Sequence, residues 1–139
     1  MKKRIIKIFD KVILLLLGFS GTFYSCREYG MPEAEFQING TVMDKTGKPI
    51  QNIQVARLWS SEYGDTLYTG TEGKYSFHGM SPEFHLKFED IDSVENGGEF
   101  ETQEIRTRLT QADQVEKGEG KWNNGKYVKT VNIELETKK

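Results

Sequence analysis

Cysteine is almost missing: the 139 residues hold one, Cys26, which rules out a disulfide within the chain and a thiolate-built zinc cluster. Histidine occurs twice, as His78 and His85, and with no second thiol the pair falls short of a zinc ligand set. No Gly-x-Ser-x-Gly elbow is present, and glycine-rich stretches such as Gly118-Glu119-Gly120 follow no phosphate-cradling pattern. The longest apolar run, Val12 to Leu17 with Gly18 and Phe19 behind it, is far short of the roughly 20 residues that span a bilayer. These gaps remove most routes to catalysis, and the chain is not expected to be an enzyme.

What remains has the composition of a folded protein. With 36% hydrophobic and 29% charged residues, the chain belongs with globular domains and not with disordered ones. Charge is unevenly placed. Lys2, Lys3, Arg4, Lys7 and Lys11 stand against Asp10 alone before Cys26, whereas acids outnumber bases in the remainder. An acidic domain is a poor match for nucleic acid, whose phosphates need a basic face.

A basic start, a short apolar stretch and then small residues form the order of an export signal. Residues 1–25 are therefore read as a signal peptide, 26–35 as a tether interrupted by Gly30 and Pro32, and 36–139 as one domain. The segment Phe23-Tyr24-Ser25-Cys26 resembles the lipobox of bacterial lipoproteins, with Ser25 as the small residue before the cysteine and Phe23 where an aliphatic residue is usual. That resemblance implies a lipid on Cys26 and a location in the cell envelope, anchored to the outer membrane. Several acyl chains, at about 0.8 kcal/mol per buried methylene, hold a protein durably on a bilayer.

Beyond the tether the hydrophobic period is two. Phe36, Ile38, Gly40 and Val42 alternate with polar neighbours, as do Tyr75 with Phe77 and Phe84 with Leu86 and Phe88. Asp44-Lys45-Thr46-Gly47-Lys48-Pro49 reads as a hairpin-like turn. Further strands are expected from Ile53 to about Ser60, on a short piece at Leu67-Tyr68, around Ile105 to Leu109, and from Tyr127 through Leu135. A long glycine- and lysine-rich connection precedes the last of them. Seven strands without a helix after the leader predict an all-β antiparallel sandwich.

The pattern Ile38-x-Gly40-x-Val42-x-Asp44-x-x-Gly47-x-Pro49, followed by Ile53-x-Val55, Asp65-Thr66 and Gly73-x-Tyr75-x-Phe77, resembles the carboxypeptidase regulatory-like domains, which are seven-stranded sandwiches related to transthyretin. The whole order of leader, Cys26, Glu28-Tyr29-Gly30-x-Pro32, sandwich motif and Asp90-Ile91-Asp92-x-x-x-Asn96-Gly97-Gly98-Glu99-Phe100 is similar to the radical SAM-associated lipoproteins of Bacteroidetes. This second resemblance implies a radical SAM protein as functional partner. It leaves two roles open for the lipoprotein: a non-catalytic binding or structural module, or the substrate that the partner enzyme modifies.

Few residues remain as candidates for chemistry. Asp90, Asp92 and Asn96 offer oxygen ligands in a glycine-containing loop, and calcium is the cation such ligands take; the alternatives are a solvated connection and a docking surface. No other cofactor is expected. Asp65-Thr66-Leu67 and Asp92-Ser93-Val94 resemble Bacteroidetes O-glycosylation sites, which would place sugars on Thr66 and Ser93. Trp59, Tyr63, Trp122 and Tyr127 supply either core packing or an aromatic platform for sugar rings or a partner. Alternation places both histidines on outward strand faces.

Overall fold

The computed structural model describes residues 33–59, 62–95 and 97–139. The chain divides into two units, Met1–Gly30 and Met31–Lys139, and every described residue lies in the second. Cys26 and Asn96 lie outside the described residues, as does the leader. Nine strands occur among the described residues. They are β1 (Glu33–Met43), β2 (Ile53–Trp59), β3 (Glu62–Tyr68), β4 (Lys74–Gly79), β5 (Glu83–Asp90), β6 (Gln103–Arg108), β7 (Gln114–Lys117), β8 (Asn123–Thr130) and β9 (Ile133–Glu134). One sheet runs β4-β1-β8-β7 with β9 alongside the end of β1, and the other runs β3-β2-β5-β6.

The two sheets face each other across one core, which is why the period-two pattern recurs in β1, β4 and β5. Ile38 and Val42 of β1 and Ile53 and Val55 of β2 are fully buried, as are Leu86 and Phe88 of β5. Tyr75 of the first sheet meets Phe88 of the second edge to face, with ring centroids 5.2 Å apart. Each such side chain contributes about 1.5–3 kcal/mol through burial. Tyr75 also hydrogen-bonds through its hydroxyl to the Val131 carbonyl at 2.6 Å, and burial raises its pKa beyond the usual phenol range.

Gly40 explains itself at this point. A Cβ there would lie 1.8 Å from the Val131 carbonyl oxygen and 2.9 Å from the Tyr75 ring, so only glycine admits the approach. Val131 and Asn132 in turn interrupt the last strand. The Val131 amide still donates to Asn39, while Asn132 turns its Oδ1 to accept from the Thr41 amide.

The architecture departs from the expected one in two respects. The count is nine and not seven, because the glycine- and lysine-rich connection contains β7 and the final segment breaks into β8 and β9. The first sheet is mixed and not antiparallel, since β1 pairs in parallel with β8 and β9. Alternation reveals which face of a strand is buried but carries no information on the direction of its neighbour. Asp44–Pro49 makes the expected hairpin-like turn, closed by an antiparallel bridge between Met43 and Pro49, and the chain beyond it crosses to the other sheet, where β2 lies. The Asp44 carboxylate gathers the Thr46 amide and hydroxyl and the Lys48 amide, Gly47 takes φ of 83°, and Asn52 at φ of 59° redirects the chain across the core. Two boundaries also shift, with β1 starting at Glu33 and β3 covering seven residues.

Candidate functional site

The residues singled out for cation binding hold up a loop. Asp90 ends β5, and its two carboxylate oxygens accept separately from the Asp92 and Phe100 amides, at 3.2 and 3.0 Å. Both are thereby committed to backbone, and Phe100 is drawn into the core. Asp92 accepts from the Asn52 side chain at 3.2 Å with one oxygen, while its other oxygen is sealed from solvent without a hydrogen-bond partner. Among the described residues no group of three or more His, Cys, Asp or Glu side chains converges as a metal site. Thr66 lies exposed on β3, and Ser93 lies exposed in the loop with φ of 58°. Both hydroxyl-bearing residues are therefore accessible, as glycosylation requires.

The outward strand faces carry the rest of the polar chemistry. His85 faces outward on β5 and sits 3.0 Å from Glu104. His78 faces outward on β4, where it meets Glu35 of β1 at 3.3 Å, and Lys126 of β8 approaches the same Glu35 oxygen at 3.3 Å. The hydrogen bonds from Lys126, and after it from His78, lower the Glu35 pKa. Beside the cluster lies a cleft of about 600 Å³ edged by Trp122 and Met80, which are 56% and 68% exposed. Trp122 is anchored there because its carbonyl accepts from the Glu33 amide at 2.9 Å, at the first residue of β1. Of the other aromatic candidates, Tyr127 is half-buried and stacks on Phe36 with centroids 5.0 Å apart, so it serves packing.

Sequence reading passed over two residues. Arg57 follows Ile53 and Val55 on the inward face of β2, a position that its period-two spacing could have revealed. It is 5% exposed, donates to the His78 carbonyl at 3.1 Å, and lies 4.5 Å above the Phe84 ring. Burial lowers its pKa and Asp65 opposes that shift. Gly79 leaves space for the guanidinium, since a Cβ there would sit 2.6 Å from it. The second residue is Thr69, buried between two loops: its hydroxyl donates to the Ile50 carbonyl at 2.7 Å and accepts from the Ile53 amide at 3.0 Å.

A third feature lies on the same outward face as Glu35, further along β1. Here Gln37, Asn39, Ser76, Thr130 and Asn132 line a shallow groove of about 610 Å³ with Tyr68 at its side. The Gln37 amide donates to Ser76 at 3.1 Å and the Thr130 hydroxyl to Asn39 at 2.8 Å. Nothing in the sequence groups these residues, which come from three separated segments.

The fold therefore defines an all-β sandwich of two facing sheets whose outward surface carries both a charged cluster and a neutral polar groove. No family model matches the chain. No curated protein matches it either. Among solved structures it is similar to a DUF3823 family protein from Parabacteroides merdae, at 16% identity over 76% of this chain and 47% of that one, with a TM-score of 0.45. This chain thus spans about half the length of the Parabacteroides protein. It is also similar to the 5-hydroxyisourate hydrolase of Klebsiella pneumoniae, at 15% identity over 70% of this chain and 89% of that one, with a TM-score of 0.41. A further similarity is to the dioxygenase domain of a dioxygenase and carbohydrate-binding protein fusion from Streptomyces sp. SirexAA-E. Identity there is 10%, over 78% of this chain and 84% of that one, with a TM-score of 0.49.

Proposed function

We propose that this chain is a lipid-anchored, non-catalytic recognition module of a bacterial cell envelope, held to the outer membrane through Cys26. The observation that carries the reading is the position of the single cysteine. It closes a leader of signal-peptide order and is followed by six residues, 27–32, before β1 begins at Glu33. An anchored domain on so short a tether presents surfaces to ligands close to the membrane. The sandwich belongs, in this reading, with the carboxypeptidase regulatory-like and transthyretin-like domains. In support, Gly40, Gly47 and Gly73 of the motif occupy places where backbone geometry calls for glycine. A radical SAM protein is the partner proposed from the resemblance of the leader-to-Phe100 pattern.

Metabolic labelling with a palmitate analogue tests the anchor. Wild type is expected to take the label and fractionate with membranes, and Cys26→Ala to lose both. Labelling that survives the substitution would overturn the anchor. The partner is tested by the intact mass of the mature chain from cells with and without the radical SAM protein. An unchanged mass fits the module reading, and a difference would make the chain the enzyme's substrate.

A further inference from the structure

We infer that the groove on the outward face of β1, β4 and β8 is a binding site for a neutral carbohydrate. The inference deepens the recognition-module reading by naming the ligand class, and it stands on the composition of the groove. In a chain that is 29% charged, the polar side chains of β1 and its neighbours here are amides and hydroxyls: Gln37, Asn39, Ser76, Thr130 and Asn132. Lys74, the one charged residue in the lining among the described residues, has its charge offset by Glu72 at 2.6 Å. Such a surface gives ions no advantage over polyols.

Its hydrogen-bonding groups are also fixed in advance. Asn39 accepts from Thr130, Asn132 accepts from the Thr41 amide, and Gln37 donates to Ser76. Those bonds orient the three amides and leave, among the described residues, the Asn39 and Asn132 Nδ2 groups as donors and the Gln37 Oε1 as an acceptor. A sugar hydroxyl both donates and accepts, so a rigid surface offering both functions without charge matches a row of hydroxyls. Tyr68 supplies the remaining requirement. It comes from β3 of the facing sheet, on the side of the groove that Leu67 also lines, is 55% exposed, receives Gln54 on its hydroxyl at 3.3 Å, and offers its ring as apolar area to the C–H face of a pyranose. The charged cluster at Glu35, further along the same sheet, lacks this neutrality.

The test uses the full mature chain in a detergent without a sugar headgroup, titrated calorimetrically with maltotriose, cellotriose, xylotriose and laminaritriose. At least one trisaccharide is expected to saturate with a Kd of about 1 mM or below, independent of salt. Tyr68→Ala removes the ring, and Asn39→Asp keeps the oxygen that accepts from Thr130 while deleting the amide donor. Each is expected to weaken binding about tenfold, the equivalent of one lost contact, at an unchanged melting temperature. No heat from any probe up to about 50 mM, a range that reaches very weak binding, would overturn the site. Affinity unchanged in both variants would overturn it equally. Loss of the anchor reading shows in the labelling of Cys26 and leaves these titrations untouched, so the two failures are distinguishable.

Discussion

The two ends of the sandwich differ in what is added to their exposed ion pairs, which at the first end include Lys45–Glu136, Lys74–Glu72 and Lys138–Glu99. At the end formed by residues 44–52, 69–73 and 91–102, short polar side chains bond to backbone: Asp44 to the Thr46 and Lys48 amides, Thr69 to Ile50 and Ile53, Asp90 to Asp92 and Phe100. At the end where β1 starts, long charged side chains span between strands, Lys126 to Glu35 and Arg108 to Glu83, with His78 beside Glu35. Side-chain-to-backbone bonds fix loops in one shape at little entropic cost. Exposed ion pairs between long side chains fix little, because solvent and rotamer freedom compete with them. The first end is therefore structural, and the second keeps an adaptable surface.

The comparison can be broken in order of effect. Phe77 is 4% exposed in the shared core, so Phe77→Ala should cost about 3–5 kcal/mol in a denaturant melt and set the scale for both ends. Gly40→Ala drives a methyl into the Val131 carbonyl and the Tyr75 ring and should cost about 3 kcal/mol in the same denaturant melt. Thr69→Val keeps the volume but strands the Ile53 amide and Ile50 carbonyl, for a loss of about 1–3 kcal/mol. If Thr69→Val proves neutral, the bonded end is not held as described.

Asp90→Asn leaves one of two backbone amides without its acceptor and should cost about 1–2 kcal/mol. The same melt repeated with millimolar calcium and with chelator tests the cation reading: coincident curves would count against it, and a calcium-dependent gain lost in Asp90→Asn would support it. The smallest effect belongs to the end where β1 starts. Glu35 has a folded pKa below its ordinary value of 4.5, so its contribution is present above that value and fades as pH falls through the lowered one. Lys126→Ala should move the Glu35 titration, followed by NMR, upward. His78→Ala should do so less, and both shifts should shrink in high salt.

The same contrast separates what the sequence makes legible from what it hides. Asp44, Gly47, Gly73, Tyr75 and Phe77 are readable because a local rule governs each: a turn, a positive φ, or an alternating face. Arg57 keeps the spacing of Ile53 and Val55, but a charged residue at an inward position is hard to accept until Phe84 and the His78 carbonyl are seen beside it. β7 escapes because Gln114–Lys117 has one apolar residue, Val115, and that one is exposed. The groove escapes for a deeper reason. Its members are ordinary surface residues in sequence, and only the parallel placement of β8 beside β1 makes neighbours of Asn39 and Thr130.

That placement also sets when the protein can fold. β1 is the first strand, yet Asn39 finds Thr130 91 positions later, and the ladder between them lies at the centre of its sheet. Until β8 arrives, β1 has β4 on one side and an open edge on the other. Closing so long a loop delays the native state, as non-local pairings do in general.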